Sequence, residues 1–134
     1  MSSAYRYFER NKEEVLKKLR LILNSEEEVL LAIVFGSFVE LNSYRDVDVA
    51  IYAKSKDLEY IAKLSAKLEL GLGIPVDVVP LDEISSKFRY NVLVNGIIVV
   101  EKISGIYEAL LNQTLDELID LERAFQNLPI SYWR

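Results

Sequence analysis

The feature that most constrains this chain is a pair of aspartates, Asp46 and Asp48, at the start of an apolar segment that ends near Tyr52. Successive side chains of a β-strand alternate between its two faces, so both carboxylates project to one face and the intervening apolar side chains to the other. Two carboxylates on one face of a partly buried strand repel each other and lose solvation unless a cation lies between them. An all-oxygen site of this kind suits Mg²⁺ or Mn²⁺, which proteins hold with carboxylates and substrate phosphates. The strand therefore predicts a divalent-metal site.

A Gly-Ser corner, Gly36-Ser37, ends the fully apolar run of residues 29–35, which is typical of a strand covered on both faces. The backbone N–H groups of the corner lie near the predicted start of a short helical turn, where an anion such as phosphate is favoured. Arg45 directly precedes Asp46, and it either contacts a phosphate or pairs with a carboxylate. Metal ligands and a phosphate cradle side by side indicate nucleotide chemistry.

A third aspartate, Asp77, lies inside another valine-rich strand signal, residues 74–79. Aspartate is depleted in strands, so the placements of Asp46, Asp48 and Asp77 all go against local propensity. Each has an alternative explanation, because an aspartate can open a strand at a turn or guard an edge strand as an inward-pointing charge. All three together, beside the Gly-Ser corner, favour a functional site over these alternatives.

Composition narrows both the chemistry and the surroundings of the protein. The 134 residues include no cysteine and no histidine, which excludes thiol catalysis and leaves acid–base work to carboxylates, tyrosines or lysines. The net charge of −5 at pH 7 argues against direct binding to nucleic-acid backbones. The longest apolar run is too short to span a membrane, and the N-terminus does not resemble a signal peptide. We therefore expect a soluble, cytoplasmic protein that folds as one domain over residues 1–134.

Hydrophobic periodicity predicts an α/β (α+β) fold, a mixed β-sheet with helices packed on it and long N- and C-terminal helices. The predicted helices cover residues 4–23, 58–70 and 106–128, with shorter helical turns at residues 37–41 and 81–88. The predicted strands cover residues 29–35, 46–53 and 74–79. Asn95-Gly96 between two apolar runs is the preferred type I′ turn, so a β-hairpin is expected over residues 92–99.

The order Gly36-Ser37, eight intervening residues, Asp46-Val47-Asp48 and then Asp77 resembles the nucleotidyltransferase superfamily of DNA polymerase beta. More closely, the chain resembles a minimal nucleotidyltransferase, a small stand-alone group often encoded beside HEPN-domain proteins as a toxin–antitoxin pair. The resemblance implies that the Gly-Ser corner holds a nucleoside triphosphate and that the paired aspartates bind two Mg²⁺ ions. It also implies that Asp77 shares one metal ion and helps to activate the attacking hydroxyl.

The activity that the resemblance implies is metal-dependent transfer of AMP from ATP to a hydroxyl, with a tyrosine of a HEPN ribonuclease toxin as the acceptor. Such a transfer would silence the toxin, and the chain would be its antitoxin, in a homodimer or a hetero-oligomer. One alternative is a non-catalytic antitoxin that neutralises its partner by binding, through the last helix and the Tyr132-Trp133 tail. A further alternative is nucleotidyl transfer to a small molecule or to RNA. The acidic net charge fits a protein acceptor better than RNA.

The residues after the corner depart from the family pattern, which often has a basic residue and a further small residue where this chain has Phe38-Val39-Glu40-Leu41. A carboxylate near phosphates is unfavourable unless it points away. Glu40 therefore predicts weaker triphosphate binding or a side chain directed elsewhere. Tyr44, in the loop between the two motifs, is the tyrosine best placed to stack on a base. The acidic turn at residues 26–28 is expected only to keep the approach to the first strand solvated.

Overall fold

Four strands and five helices make up the part of the chain that the computed structural model describes, residues 11–55 and 57–129. In chain order they are α1 (Lys12–Asn24), β1 (Val29–Phe35), α2 (Ser37–Glu40), β2 (Val47–Ala53), α3 (Leu58–Leu72), β3 (Val76–Pro80), α4 (Ser86–Asn95), β4 (Ile97–Glu101) and α5 (Ile106–Gln126). The predicted mixed sheet with helices packed on it is confirmed. The start of the predicted first helix, residues 4–10, and the Tyr132-Trp133 tail lie outside the described residues.

The strand order β3-β2-β1-β4 brings the chemically distinctive positions to one end of the sheet. Strand β1 is antiparallel to β2 and β4, whereas β2 and β3 are parallel. The end of β1 therefore meets the starts of β2 and β3, with Phe35 opposite Asp48 and Asp48 opposite Asp77. Because β2 has a neighbour on each side, Asp48 cannot be explained as the guard of an edge strand.

Helices cover both faces of the sheet, which explains why β1 is apolar throughout. Helices α1 and α3 cover one face, where Leu19, Leu23 and Leu68 are fully buried in one cluster. Helices α4 and α5 cover the other face, where Leu93 and Leu110 join a second cluster that includes Ala50 of β2. Burial of each such leucine contributes roughly 2 kcal/mol. Asp48 is two residues before Ala50, so its carboxylate lies on the α4–α5 side of the sheet.

Local sequence signals, a capping aspartate and a glycine, define the two ends of helix α3. The Asp57 side chain accepts a hydrogen bond from the Glu59 N–H at 3.1 Å and caps the start of the helix. Gly73, with a φ of 70°, ends the helix in the left-handed conformation that favours glycine. The sequence predicted an end at residue 70, directly before Gly71, but Gly71 lies within the last turn of the helix and packs close to Ile22.

The β-hairpin predicted around Asn95-Gly96 is wrong, because residues 86–95 form helix α4 instead. Gly96 has a φ of −80°, whereas a type I′ turn needs positive φ at both central residues. The Ser85 hydroxyl caps the helix, and the helix buries Val92 and Leu93 against the sheet. Strand β4 then pairs with β1 rather than with the segment before it. Burial of one helical face outweighs the local turn signal here.

Helix α5 confirms the predicted long C-terminal helix. Arg89 of α4 joins the two helices through hydrogen bonds to side chains of α5. The buried Arg89 guanidinium donates hydrogen bonds to the Leu81 carbonyl at 3.0 Å, the Thr114 hydroxyl at 3.2 Å and the Glu117 carboxylate at 3.0 Å. These bonds fix α4 over the end of β1. In the described part of the chain, neither α5 nor any other helix has the length and apolar character needed to cross a membrane.

Candidate active site

Asp46, Asp48 and Asp77 come together where β2 and β3 begin. One carboxylate oxygen of each aspartate lies within 4.8 Å of those of the other two. The parallel register places Asp48 opposite Asp77, and Asp46 lies one residue before β2, on the same side as Asp48. Asp46 and Asp48 are half-buried and Asp77 is exposed. The fold thus gathers the three aspartates that the sequence singled out, and we refer to them as the carboxylate cluster.

The carboxylate cluster is electrostatically unfavourable by itself. Loss of solvation on burial, followed by the negative charges of Asp46 and Asp77, raises the pKa of Asp48 to about 6. Among the residues that the structure describes, no salt bridge joins the cluster to a lysine or arginine. A divalent cation would relieve both the repulsion and the lost solvation. The donor set consists of oxygen alone and fits Mg²⁺ or Mn²⁺.

Gly36 brings the Gly-Ser corner into direct contact with the cluster. It has a φ of 80° and a ψ of −153°, a conformation essentially restricted to glycine. A Cβ at this position would lie 2.5 Å from Oδ2 of Asp48, so only glycine lets the backbone approach the carboxylate this closely. Ser37 begins α2, and Arg45 is exposed in the loop before Asp46. A phosphate-binding role of these residues stays a prediction.

The expectation that Tyr44 could stack on a base is wrong. Its side chain is fully buried and its ring packs edge-to-face on Phe38, with centroids 4.7 Å apart. In the part of the chain that the structure describes, an exposed aromatic side chain near the corner is instead that of Phe88 of α4, of which 42% is accessible.

A cavity of about 250 Å³ lies between α2 and α4, and the sequence pattern did not predict it. Gly36 and Glu40 line it on one side, and Phe88, Asn91 and Asn95 line it on the other. The last three recur at helical spacing, which is a signal for a shared face. This shared face was not recognised in the sequence, because the Asn-Gly turn signal assigned the end of the helix to a hairpin.

The fold is similar to chains in solved toxin–antitoxin complexes. A chain in the crystal structure of MntA–HepT is 22% identical, with a TM-score of 0.69 over 85% of this chain and 92% of that chain. A chain in the complex of a tri-AMPylated Shewanella oneidensis HEPN toxin with its MNT antitoxin is 23% identical, with a TM-score of 0.71 over 87% and 93%. A chain in a toxin–antitoxin structure with AMP-PNP is 24% identical, with a TM-score of 0.68 over 87% and 94%. At these identities the likeness is one of fold.

A match to a family model identifies the family of this protein, although a comparison with individual curated proteins gives no match. The model of the family described as "Polymerase beta, Nucleotidyltransferase" matches residues 17–104, more than half of the chain. The matched range includes the Gly-Ser corner, the carboxylate cluster and α4. This protein therefore belongs to the polymerase beta nucleotidyltransferase family.

Proposed function

We propose that this protein is a metal-dependent nucleotidyltransferase that moves AMP from ATP to a hydroxyl group. The observation that carries the proposal is the convergence of Asp46, Asp48 and Asp77 within 4.8 Å, in contact with the Gly-Ser corner. Family membership supports the transferase activity. Three converging carboxylates that form no salt bridge with a described lysine or arginine oppose folding, and such local conflicts are characteristic of functional sites.

Each residue of the site has a distinct role in this proposal. Asp46, Asp48 and Asp77 hold Mg²⁺ or Mn²⁺. These residues would hold two such ions together with the nucleotide, and the ions would supply positive charge to the phosphates and to the attacking and leaving oxygens of an in-line displacement. Gly36 and Ser37 present the corner to the triphosphate.

The reaction needs a proton acceptor as well as metal ligands, and Asp77 is the exposed member of the cluster. Its carboxylate takes the proton from the acceptor hydroxyl as the acceptor oxygen bonds to the α-phosphorus. The bond between the α-phosphorus and the oxygen that bridges to the β-phosphate breaks, and pyrophosphate leaves. Arg45, exposed on the loop before Asp46, adds positive charge near the leaving phosphates.

The acceptor, in this proposal, is a tyrosine of a HEPN ribonuclease toxin, and this chain is the antitoxin. Structures similar in fold are toxin–antitoxin complexes, and one of them contains a tri-AMPylated HEPN toxin. The net charge of −5 disfavours RNA as the acceptor. We place both proteins in the cytoplasm.

A binding-only antitoxin is the second candidate function. Glu40 favours it, because its side chain lines the cavity beside Gly36 and a carboxylate near phosphates weakens their binding. The two candidates differ in whether neutralisation of the toxin needs the carboxylate cluster.

Intact-mass measurement of a purified HEPN partner after incubation with ATP and Mg²⁺ tests the proposal. We expect the partner to gain one or more AMP groups with the wild-type protein and none with Asp46→Asn/Asp48→Asn. The double variant Glu13→Gln/Glu59→Gln, at exposed positions on α1 and α3, is the matched control and should transfer AMP normally. If the wild type and Asp46→Asn/Asp48→Asn inhibit the ribonuclease activity of the partner equally, and the partner gains no mass, the binding-only antitoxin would be established instead.

A further inference from the structure

We propose that the cavity between α2 and α4 binds the nucleoside part of the substrate, and that the Glu40 carboxylate binds the ribose hydroxyls. This inference rests on the proposed function and adds to it a specificity for ribonucleotides over deoxyribonucleotides.

The cavity lies next to the carboxylate cluster, and Gly36 is in contact with both. Gly36 lines it, and the same residue approaches Asp48 so closely that a Cβ would lie 2.5 Å from the Asp48 carboxylate. Phe35, the strand partner of Asp48, also lines it. A nucleotide whose α-phosphate lies at the carboxylates therefore has its sugar at the mouth of this cavity.

The size of the cavity matches a part of a nucleotide rather than a whole one. Its volume is about 250 Å³, slightly below the roughly 300–1,000 Å³ typical of pockets for complete drug-sized ligands. A nucleoside fits this space while its phosphates remain outside, at the Gly-Ser corner.

One wall of the cavity offers an aromatic surface to a base. The Phe88 ring packs edge-to-face on Phe35, with centroids 5.6 Å apart and an angle of 78° between the rings. This contact holds the Phe88 ring in place, while 42% of the residue remains accessible. An anchored ring with an exposed face is the kind of surface on which bases stack.

The polar side chains of the cavity match the remaining groups of a nucleoside. A carboxylate only accepts hydrogen bonds, so Glu40 suits the two hydroxyls of a ribose, which both donate. Asn91 and Asn95 each carry donors and an acceptor, as the edge of a base does. The phenol of an acceptor tyrosine has a single polar group and would leave most of these side chains unmatched. A phosphate here would be repelled by Glu40.

Helix α4 is fixed before any ligand binds, which makes the cavity preformed. The buried Arg89 guanidinium joins α4 to the Leu81 carbonyl and to Thr114 and Glu117 of α5. Arg89 is thus a positioning residue for the wall that carries Phe88 and Asn91. A preformed wall reduces the entropy lost when a ligand binds.

Calorimetric titration of ATP and 2′-deoxy-ATP, both with Mg²⁺, tests the contact between Glu40 and the ribose. We expect the wild type to bind ATP roughly tenfold more tightly than 2′-deoxy-ATP, because a hydrogen bond to a charged group is lost in the latter. Glu40→Ala should bring this ratio close to one. Glu59→Ala, an exposed glutamate on α3 at the opposite face of the sheet, is the matched control and should keep the wild-type ratio.

The ratio separates a sugar contact from simple repulsion of phosphate. Removal of a carboxylate that only repels phosphates would raise the affinity for both nucleotides equally and leave the ratio unchanged, which would overturn the inference alone. A folded wild type that binds neither nucleotide would overturn the proposed function as well.

Comparison of ATP with inorganic tripolyphosphate tests the aromatic wall. Loss of a stacked base predicts that Phe88→Ala binds ATP roughly tenfold more weakly and tripolyphosphate as the wild type does. Asn91→Ala, which removes an exposed side chain from the same wall, should shift the same comparison about threefold and serves if Phe88→Ala does not fold. Unchanged ATP binding with slower transfer to the partner would assign the cavity to the acceptor and contradict the inference.

Discussion

Carboxylates lie near both ends of β1, and the charges that surround them are opposite. A positive charge lies beside Glu26, whereas negative charges lie beside Asp48. Glu26, in the turn before β1, accepts hydrogen bonds from the Tyr60 hydroxyl at 2.8 Å and the Lys67 ammonium at 2.5 Å. The Lys67 contact lowers the pKa of Glu26. Asp48, at the far end, faces Asp46 and Asp77, and burial together with their charges raises its pKa to about 6.

The comparison separates a carboxylate that stabilises the fold from one that opposes it. A lowered pKa means that ionised Glu26 contributes stability above its ordinary pKa, and that this stability is lost as the pH falls through the lowered value. A raised pKa means that ionised Asp48 destabilises the fold above about pH 6, and that the penalty shrinks as the pH falls below that value and vanishes below the ordinary pKa of 3.8. A bound cation is the natural partner of the second kind of carboxylate.

The largest effect is expected when Asp77 loses its charge. Asp77→Asn should slow AMP transfer at least 100-fold, because the acceptor hydroxyl loses its proton acceptor, and it should change ATP affinity only a few-fold. Single-turnover transfer to the partner measures the rate, and Glu59→Gln, at an exposed position on α3, is the control. Transfer at the wild-type rate would remove Asp77 from the mechanism.

A side chain at Gly36 should damage the site more than the same change at another positive-φ glycine. Gly36→Ala should destabilise the fold by about 2–3 kcal/mol, through strain at a glycine-only conformation and collision with Asp48, and should lower the affinity for Mg·ATP at least tenfold.

Gly105 is the matched control, because it also has a positive φ, 89°, but a Cβ there would meet nothing within 4 Å. Gly105→Ala should cost about 1 kcal/mol through backbone strain alone and leave Mg·ATP affinity unchanged. Urea unfolding and calorimetry measure the two quantities. Equal loss of nucleotide affinity in both variants would contradict the role of the Gly-Ser corner.

Neutralising Glu26 should lower stability without touching the site. Glu26→Gln should reduce the free energy of unfolding by about 1 kcal/mol at neutral pH, through weaker bonds to Lys67 and Tyr60, and by less as the pH falls below 4.5, the ordinary pKa of the group. Urea unfolding across this range checks the trend. A fall in Mg·ATP affinity would show that the two ends of β1 are coupled, against our account.

Removal of the Asp48 charge should raise the stability of the fold, whereas removal of the Glu26 charge should lower it. In metal-free protein well above pH 6, Asp48→Asn should raise the free energy of unfolding by about 0.5–1 kcal/mol, a figure that allows for solvent screening of this half-buried group. The gain should shrink as the pH falls below about 6 and vanish below 3.8, its ordinary pKa. Urea unfolding with a chelator measures it, and added Mg²⁺ should stabilise the wild type more than the variant. A variant less stable than the wild type without metal would contradict the assigned repulsion.

The sequence predicted the carboxylate cluster because its signal is local. Two aspartates one residue apart in a strand must share a face, whatever the rest of the chain does. The proximity of Asp77 depends on the parallel pairing of β2 with β3, which local pattern does not encode. Its placement in a valine-rich strand selected it only in combination with Asp46, Asp48 and the Gly-Ser corner, because an aspartate in such a strand can also guard a sheet edge.

Features that depend on tertiary packing were harder to predict from the sequence. Asn95-Gly96 is a strong turn signal, yet burial of Val92 and Leu93 on the second face of the sheet favours a helix. Tyr44 follows a polar loop in the sequence but packs into the core against Phe38. Glu26 was expected only to keep a turn solvated, whereas Lys67, which is 41 residues away, pairs with it.

Titration of ATP into the wild type and Asp46→Asn/Asp48→Asn, with and without Mg²⁺, is the most direct test of the central claim that the carboxylate cluster is a metal–nucleotide site. We expect ATP binding by the wild type that requires Mg²⁺, and loss of that binding in a double variant that thermal unfolding shows to be folded. Equal binding by both proteins, or no binding by a folded wild type, would contradict the claim.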